Sequence, residues 1–226
     1  MIDQVQDYDG RMYKSRRLRV EGESEATLTD QDLRAWLGEA NETDTPLRMI
    51  VGSPGSGKTW LLHQLAENLK SATRLEEMKP QAVFFLEAAK TLGKDDIRWE
   101  GELHGWLANE ANRTLLDEVK MYHNENVAFR SIFAALVERI CNGYGDFALP
   151  VILLIDGLED LPPAAQAYCE RHVLEPFLSA SREGCARAVV GGRTALSLQL
   201  PALAWSVAAL DLVSEPATTQ HPQDAT

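Results

Sequence analysis

Gly52-Ser53-Pro54-Gly55-Ser56-Gly57-Lys58-Thr59, followed by Trp60, satisfies every constrained position of the G-x-x-x-x-G-K-[ST] phosphate-binding loop. Glycines let the backbone turn with its N–H groups facing inward, which makes a nest for phosphate oxygens. A helix starting at the end of the loop adds unpaired N–H groups and the positive end of its dipole. In such a loop Lys58 reaches the β- and γ-phosphates and the Thr59 hydroxyl ligates Mg²⁺. The flanks agree with the motif. Leu47-Arg48-Met49-Ile50-Val51 reads as a short buried strand, and Leu61, Leu62, Leu65, Ala66 and Leu69 repeat at helical spacing. Strand, glycine-rich loop and helix together predict that the chain holds a nucleoside triphosphate.

The bulk properties narrow the field. A chain of 226 residues with 45% hydrophobic content predicts one medium α/β domain with a full core. A formal net charge of −12 argues against nucleic acid as a partner bound through a broad basic surface. The local basic run Lys14-Ser15-Arg16-Arg17-Leu18-Arg19 reads more simply as a solvated or interdomain segment. Three cysteines, Cys141, Cys169 and Cys185, have no C-x-x-C spacing and predict neither a disulfide framework nor a zinc site. The N-terminus is polar, and residues 202–213 are too few and contain Asp211, so no membrane span is expected. The expected location is cytoplasmic.

Along the chain, residues 1–45 read as an N-terminal arm followed by a short helix starting near Thr29, with Leu33, Trp36 and Leu37 on its apolar face. The nucleotide-binding domain is expected over 46–213. Its second strand is Ala82-Val83-Phe84-Phe85-Leu86-Glu87-Ala88, whose consecutive apolar residues suit an interior parallel strand. About sixty residues of mostly helical pattern follow. They include Trp99 and Trp106, whose burial spacing alone does not decide. A clean amphipathic helix then carries Phe129, Ile132, Phe133, Leu136, Val137 and Ile140. Val151-Ile152-Leu153-Leu154-Ile155-Asp156 is the third strand, and Pro162-Pro163 opens a helix through about Arg182, with a kink at Pro176. Residues 186–191 and 206–212 read as the fourth and fifth strands, and the Pro/Thr/Gln-rich residues 214–226 as a disordered tail.

Asp156 supplies what the phosphate loop needs opposite it. A carboxylate at the C-terminal end of a buried parallel strand holds Mg²⁺ beside the nucleotide. Asp156-Gly157-Leu158-Glu159-Asp160 adds two further acids, either of which can orient or deprotonate an attacking water. Three acids in five residues also repel one another unless a cation is near. The fourth strand ends in Gly191-Gly192-Arg193-Thr194. There Arg193 can contact a γ-phosphate or stabilise charge during transfer, and the two glycines leave room for a ligand to approach. Bland alternatives are open at each point: Glu159 and Asp160 as loop solvation, and Arg193 as a surface cap. The five histidines share no ligand spacing.

The phosphate loop, Val83-Phe84-Phe85-Leu86, the Asp-Gly-Leu-Glu-Asp turn and Val189-Val190-Gly191-Gly192-Arg193 together resemble the NACHT-type STAND NTPases over about residues 46–213. That family's acidic turn ends Asp-Glu where this chain has Glu159-Asp160. Its fourth strand ends in Thr/Ser-Ser-Arg where this chain keeps only the arginine. The resemblance implies a P-loop NTPase three-layer α/β/α sandwich with a five-stranded parallel sheet in the order 5-1-4-3-2. It further implies ATP or ADP with Mg²⁺ as cofactors, and slow hydrolysis in a switch that works through a protein partner or self-assembly in signalling or defence. ATP rather than GTP also fits the lack of an Asn-Lys-x-Asp motif. An AAA+-like ATPase subunit, a non-catalytic module that binds nucleotide to fold, and a small-molecule kinase are the other readings.

Overall fold

In the computed structural model the described residues are 17–20, 27–38, 46–74, 82–93, 98–113, 127–142, 151–180, 185–192 and 208–213. The strands are β1 (Arg17–Val20), β2 (Thr27–Thr29), β3 (Leu47–Val51), β4 (Ala82–Glu87), β5 (Val151–Asp156), β6 (Ala186–Gly192) and β7 (Ala208–Val213). The helices are α1 (Asp30–Gly38), α2 (Lys58–Arg74), α3 (Ala88–Leu92), α4 (Trp99–Arg113), α5 (Phe129–Asn142), α6 (Pro163–Cys169) and α7 (Glu175–Ala180).

All seven strands form one sheet in the order β2-β1-β7-β3-β6-β5-β4. β3, β6, β5 and β4 run parallel, and β7 joins β3 in the same direction. The expectation of five parallel strands alone is corrected. β1 and β2 extend the sheet antiparallel beyond β7, with Leu18 opposite Leu212 and Leu28 opposite Leu18. The N-terminal stretch thus enters the sheet. An antiparallel pair needs only a short connection, whereas the parallel strands need helical crossovers.

The largely apolar sequences of β3 to β6 follow from burial on both faces. Successive strand side chains point to opposite sides of a sheet. On one side Val151, Leu153 and Ile155 pack with Phe84, Leu86, Ala188 and the residues of α4 to α7. On the other, Ile152 and Leu154 pack with Ile50, Val83, Val189 and the apolar faces of α1 and α2. A residue such as Leu153, with no exposed surface, contributes about 1.5–3 kcal/mol by leaving water. The first layer centres on an aromatic cluster: Phe129 stacks on Phe133 at 5.4 Å, and Phe84 meets Phe133 edge-on at 5.6 Å. Trp106 joins it from α4 at 5.8 Å from Phe133, which settles its burial. On the opposite layer the guanidiniums of Arg48 and Arg187 lie 4.2 and 4.7 Å from the Trp36 ring, cation–π contacts that hold α1 against β3 and β6.

Two further features depart from a regular sandwich. The segment after Pro163 is not one bent helix: a π-turn, Glu170–Leu174, lies between α6 and α7. The Glu175 N–H donates to the Glu170 carbonyl, five residues back. Pro176 follows at once and has no N–H to give, so the backbone widens before it. The second feature lies on the outer side of β4, the last strand of the sheet among the described residues. Trp106 Nε1 donates to the Phe85 carbonyl at 2.8 Å, and the Phe85 N–H donates to Glu110 Oε2 at 3.1 Å. Trp106 and Glu110 stand one helical turn apart on α4, so one face of that helix satisfies both main-chain groups of the edge residue.

Candidate functional site

The register of the parallel strands brings the predicted site residues to one end of the sheet. Val51 pairs with Gly192, and Asp156 with Glu87, so these C-terminal strand ends form a single rim. The phosphate loop leaves this rim from β3 and enters α2 at Lys58. Gly55 and Gly57 have φ of 78° and 93°, the left-handed region that side chains with a Cβ rarely adopt. The Gly52 N–H donates to the Gly192 carbonyl at 3.2 Å, tying the start of the loop to β6.

Lys58 is buried, and its Nζ donates to the Gly52 and Ser53 carbonyls at 2.7 and 3.2 Å. Ser56 Oγ stands at 3.5 Å from the same nitrogen. The ammonium therefore lies along the loop rather than out in solvent. Ser53, Pro54, Gly55 and Thr59 are exposed, and Trp60 is half-buried. Burial pushes the Asp156 carboxyl above its ordinary range, against the pull of the Thr59 hydroxyl and of the His63 and Lys58 charges. Glu159 is raised as well, first by burial and then by the charges of Asp160 and Asp156.

After Asp156, Gly157 takes φ 69° and Leu158–Asp160 forms a single 3₁₀ turn. Leu158 is buried in the core, which points Glu159 towards the rim, while Asp160 is exposed. Glu159 Oε2 is buried and meets no hydrogen-bond donor among the described residues. A buried carboxylate oxygen without a donor, beside a second carboxylate raised by burial, is the environment a cation relieves. The residues present therefore fit a magnesium–nucleotide: loop, Lys58, Thr59, Asp156 and Glu159 converge. Arg193 lies outside the described residues, as does the tail 214–226.

The expectation that Gly191 leaves room for a ligand is corrected. A Cβ there would come within 2.9 Å of Leu62 Cδ1 and 3.3 Å of Asp156 Oδ1, so the space is taken by α2 and by the acidic strand end. Its glycine lets β6 pack closely enough to set the Asp156 carboxylate.

Two site residues escaped the sequence reading. Glu87, at the end of β4, sits beside Asp156 in register, and His63 Nε2 lies 3.7 Å from its Oε1. His63, together with Lys90 at 3.1 Å, holds the Glu87 carboxyl well below its ordinary value, at about 2. Phe85 packs edge-on against the His63 ring at 4.6 Å and fixes its place. The signal for His63 was its position four residues after Thr59, one helical turn along the same face. For Glu87 it was an acid closing an apolar strand, as Asp156 does.

A parallel α/β sheet with a glycine-rich loop feeding a helix, and an acidic strand end beside it, is the P-loop NTPase fold. The chain belongs to the family described as Nephrocystin 3, N-terminal, whose pattern matches residues 22–187. No curated protein matches the chain. Among solved structures, Cdc6p from Pyrobaculum aerophilum is 18% identical, with 73% of this chain and 38% of that one covered and a TM-score of 0.44. The Aeropyrum pernix ORC2 protein, solved as ADPNP-ADP complexes, is 18% identical, with 72% and 39% covered and a TM-score of 0.43. PCH-2 of C. elegans is 17% identical, with 75% and 38% covered and a TM-score of 0.38. The chain spans less than two fifths of the length of each of these structures.

Proposed function

We propose that this chain is an ATP-binding P-loop NTPase domain that takes Mg-ATP, hydrolyses it slowly and acts as a nucleotide-dependent switch of the NACHT-like kind. The observation that carries the reading is the single rim at which Asp156 closes β5 and the phosphate loop leaves β3, with Lys58 folded along the loop. Those are the residue types and the strand positions that a phosphate loop uses to hold a magnesium–nucleotide. When bound, the metal would offset phosphate charge and polarise the terminal phosphoryl group.

Each side chain has a role in this reading. The loop N–H groups of 52–59 cradle the phosphates, with Trp60 at the start of α2. Lys58 exchanges its bonds to the Gly52 and Ser53 carbonyls for phosphate oxygens. Thr59 and Asp156 hold the cation. Glu159 orients the attacking water, favoured over Asp160 because it is drawn into the rim and has an oxygen without a donor. Arg193, following β6, contacts the γ-phosphate. The switch would act in the cytoplasm through a protein partner or a second copy of itself. The chain's net charge of −12 argues against nucleic acid, and no helix among the described residues is long and apolar enough to cross a membrane.

The test combines nucleotide identification with thermal unfolding. Mass spectrometry of the denatured, freshly purified protein is expected to release adenine nucleotide. Mg-ATP and Mg-ADP are expected to raise the unfolding midpoint of wild type but not of Lys58→Ala. No midpoint shift with any nucleotide would overturn the proposal, and turnover that climbs with protein concentration would favour an AAA+-like assembly instead.

A further inference from the structure

Asp156 has an acidic neighbour across the sheet. β4 and β5 pair with Glu87 level with Asp156, and neighbouring strands lie about 4.8 Å apart. Alternate residues of a strand share a face. Ile152 and Leu154 of β5, with Val83 and Phe85 of β4, pack on the side of α1 and α2. Asp156 and Glu87 continue those two series, so both leave the sheet on that side. On the β6 side the neighbour is Gly191, which has no side chain and whose added Cβ would lie 3.3 Å from Asp156 Oδ1. Glu87 is thus the carboxylate that the sheet sets level with Asp156.

Glu87 is held from two directions. His63 Nε2 lies 3.7 Å from its Oε1, and Lys90 Nζ lies 3.1 Å from its Oε2. The Lys90 side chain is 78% exposed, and so exposed an ion pair holds weakly. The His63 side chain is 25% exposed, and Phe85 stands edge-on to its ring at 4.6 Å. His63 is the firmer hold. It follows Thr59 by four residues on α2, an advance of about 6 Å along the helix, close to the spacing of the strands. Thr59 and His63 share one face of α2 as Asp156 and Glu87 share one face of the sheet.

We propose that His63 sets the cation preference of the site, by holding Glu87 away from the metal that Thr59 and Asp156 take; the inference rests on the magnesium–nucleotide reading above. Magnesium is small, keeps several waters and needs few carboxylates, whereas calcium gathers about six to eight oxygens in loose geometry. Asp156 with a hydroxyl and phosphate oxygens suits the smaller ion. A released Glu87, one strand spacing away, would bring two further oxygens to the cation in place of water, and that favours the larger ion. His63 is therefore a positioning residue. It meets Glu87 and acts on the cation through it.

Calorimetry of ADP binding to the full chain, in MgCl2, in CaCl2 and in EDTA, tests the assignment without turnover. The preference of ADP itself for either ion is common to all variants and cancels between them. His63→Ala is expected to lower the ratio of magnesium to calcium affinity by about tenfold. His63→Phe, which keeps a ring against Phe85 and removes the donor, should do the same if the alanine variant folds poorly. His63→Gln keeps a donor for Glu87 and should retain the wild-type ratio. Glu87→Gln added to His63→Ala should restore that ratio, because the released side chain is then neutral. Affinity in EDTA should be equal in all of them. An unchanged ratio in His63→Ala, a lowered ratio that persists in the double variant, or an equal loss in magnesium, calcium and EDTA would each overturn the proposal. Wild type that binds no ADP under any of the three conditions would instead overturn the nucleotide reading, and this inference with it.

Discussion

Replacing Asp156 with Asn separates two properties that this site sets against each other. Asn keeps the shape of the side chain and removes the charge. Burial raises the Asp156 carboxyl above its ordinary value of 3.8. A carboxyl raised on folding lends stability that is fully present below 3.8 and is lost as pH rises through the folded value. At pH 7 the ionised group therefore weighs against the ligand-free fold, and Asp156→Asn should melt at or above wild type. That difference should vanish below pH 3.8, where the acid is neutral in both states. With nucleotide the order reverses. Mg-ATP at 100 times its Kd stabilises wild type by about 2.7 kcal/mol, or about 5–10 °C for a chain of this size. A 10- to 100-fold loss of affinity in the variant cuts this to about 1.4 or 0.4 kcal/mol at the same concentration. Scanning fluorimetry with Mg-ATP and with EDTA reads both effects. A variant that melts lower than wild type without ligand and keeps the full nucleotide shift would refute the account of Asp156 as a cation-seeking carboxylate.

Glu110→Ala should cost about 2–3 kcal/mol in urea unfolding, because it strips the acceptor from both the Phe85 N–H and Lys70 Nζ, which it meets at 3.1 and 3.2 Å. Gly191→Ala should lose little stability, about 1 kcal/mol, since the Leu62 methyl can rotate away. The same Cβ crowds Asp156 Oδ1, so nucleotide affinity measured by calorimetry should fall by about tenfold. Glu87→Gln should lower stability slightly, by less than about 1 kcal/mol because the partly exposed pair with His63 and Lys90 is screened. Glu87 is depressed on folding, so its contribution is present above 4.5 and fades as pH falls towards 2; the two proteins should converge across that window in acid titrations of the unfolding free energy.

The parts of the fold readable from sequence are those buried on both faces. β4 and β5 appear as apolar runs, and β3 and β6 as apolar runs broken only by Arg48 and Arg187, because one set of alternate side chains meets α1 and α2 and the other meets α4 to α7. Helix α5 shows its face because it buries only one side, with Phe129, Ile132, Phe133, Leu136 and Val137 at helical spacing. β1 was hidden: Arg17-Leu18-Arg19-Val20 is a basic run on inspection, and only pairing with β7 makes it a strand. The π-turn before Pro176 was half visible, since proline predicts a disruption without saying how the backbone absorbs it. At the site, the loop and Asp156 stand out because their chemistry needs fixed residue types at fixed spacing. Glu87 and His63 do not, because their nearness to Asp156 comes from strand register and one helical turn. The same limit explains Gly191, whose neighbours Leu62 and Asp156 are remote in sequence.

The two bonds from α4 to Phe85 close part of the outer side of β4. A strand whose outward N–H and carbonyl are free is a template on which another chain can be laid down, and repetition of that step produces fibrils. At Phe85 the template is occupied by Trp106 and Glu110, and Lys70 neutralises the buried acid that makes this possible. The same helix, α4, lines a polar cleft with Glu87 and Lys90, to which it gives Glu102 and Asn109. At Phe85 the main chain is closed to pairing with another strand.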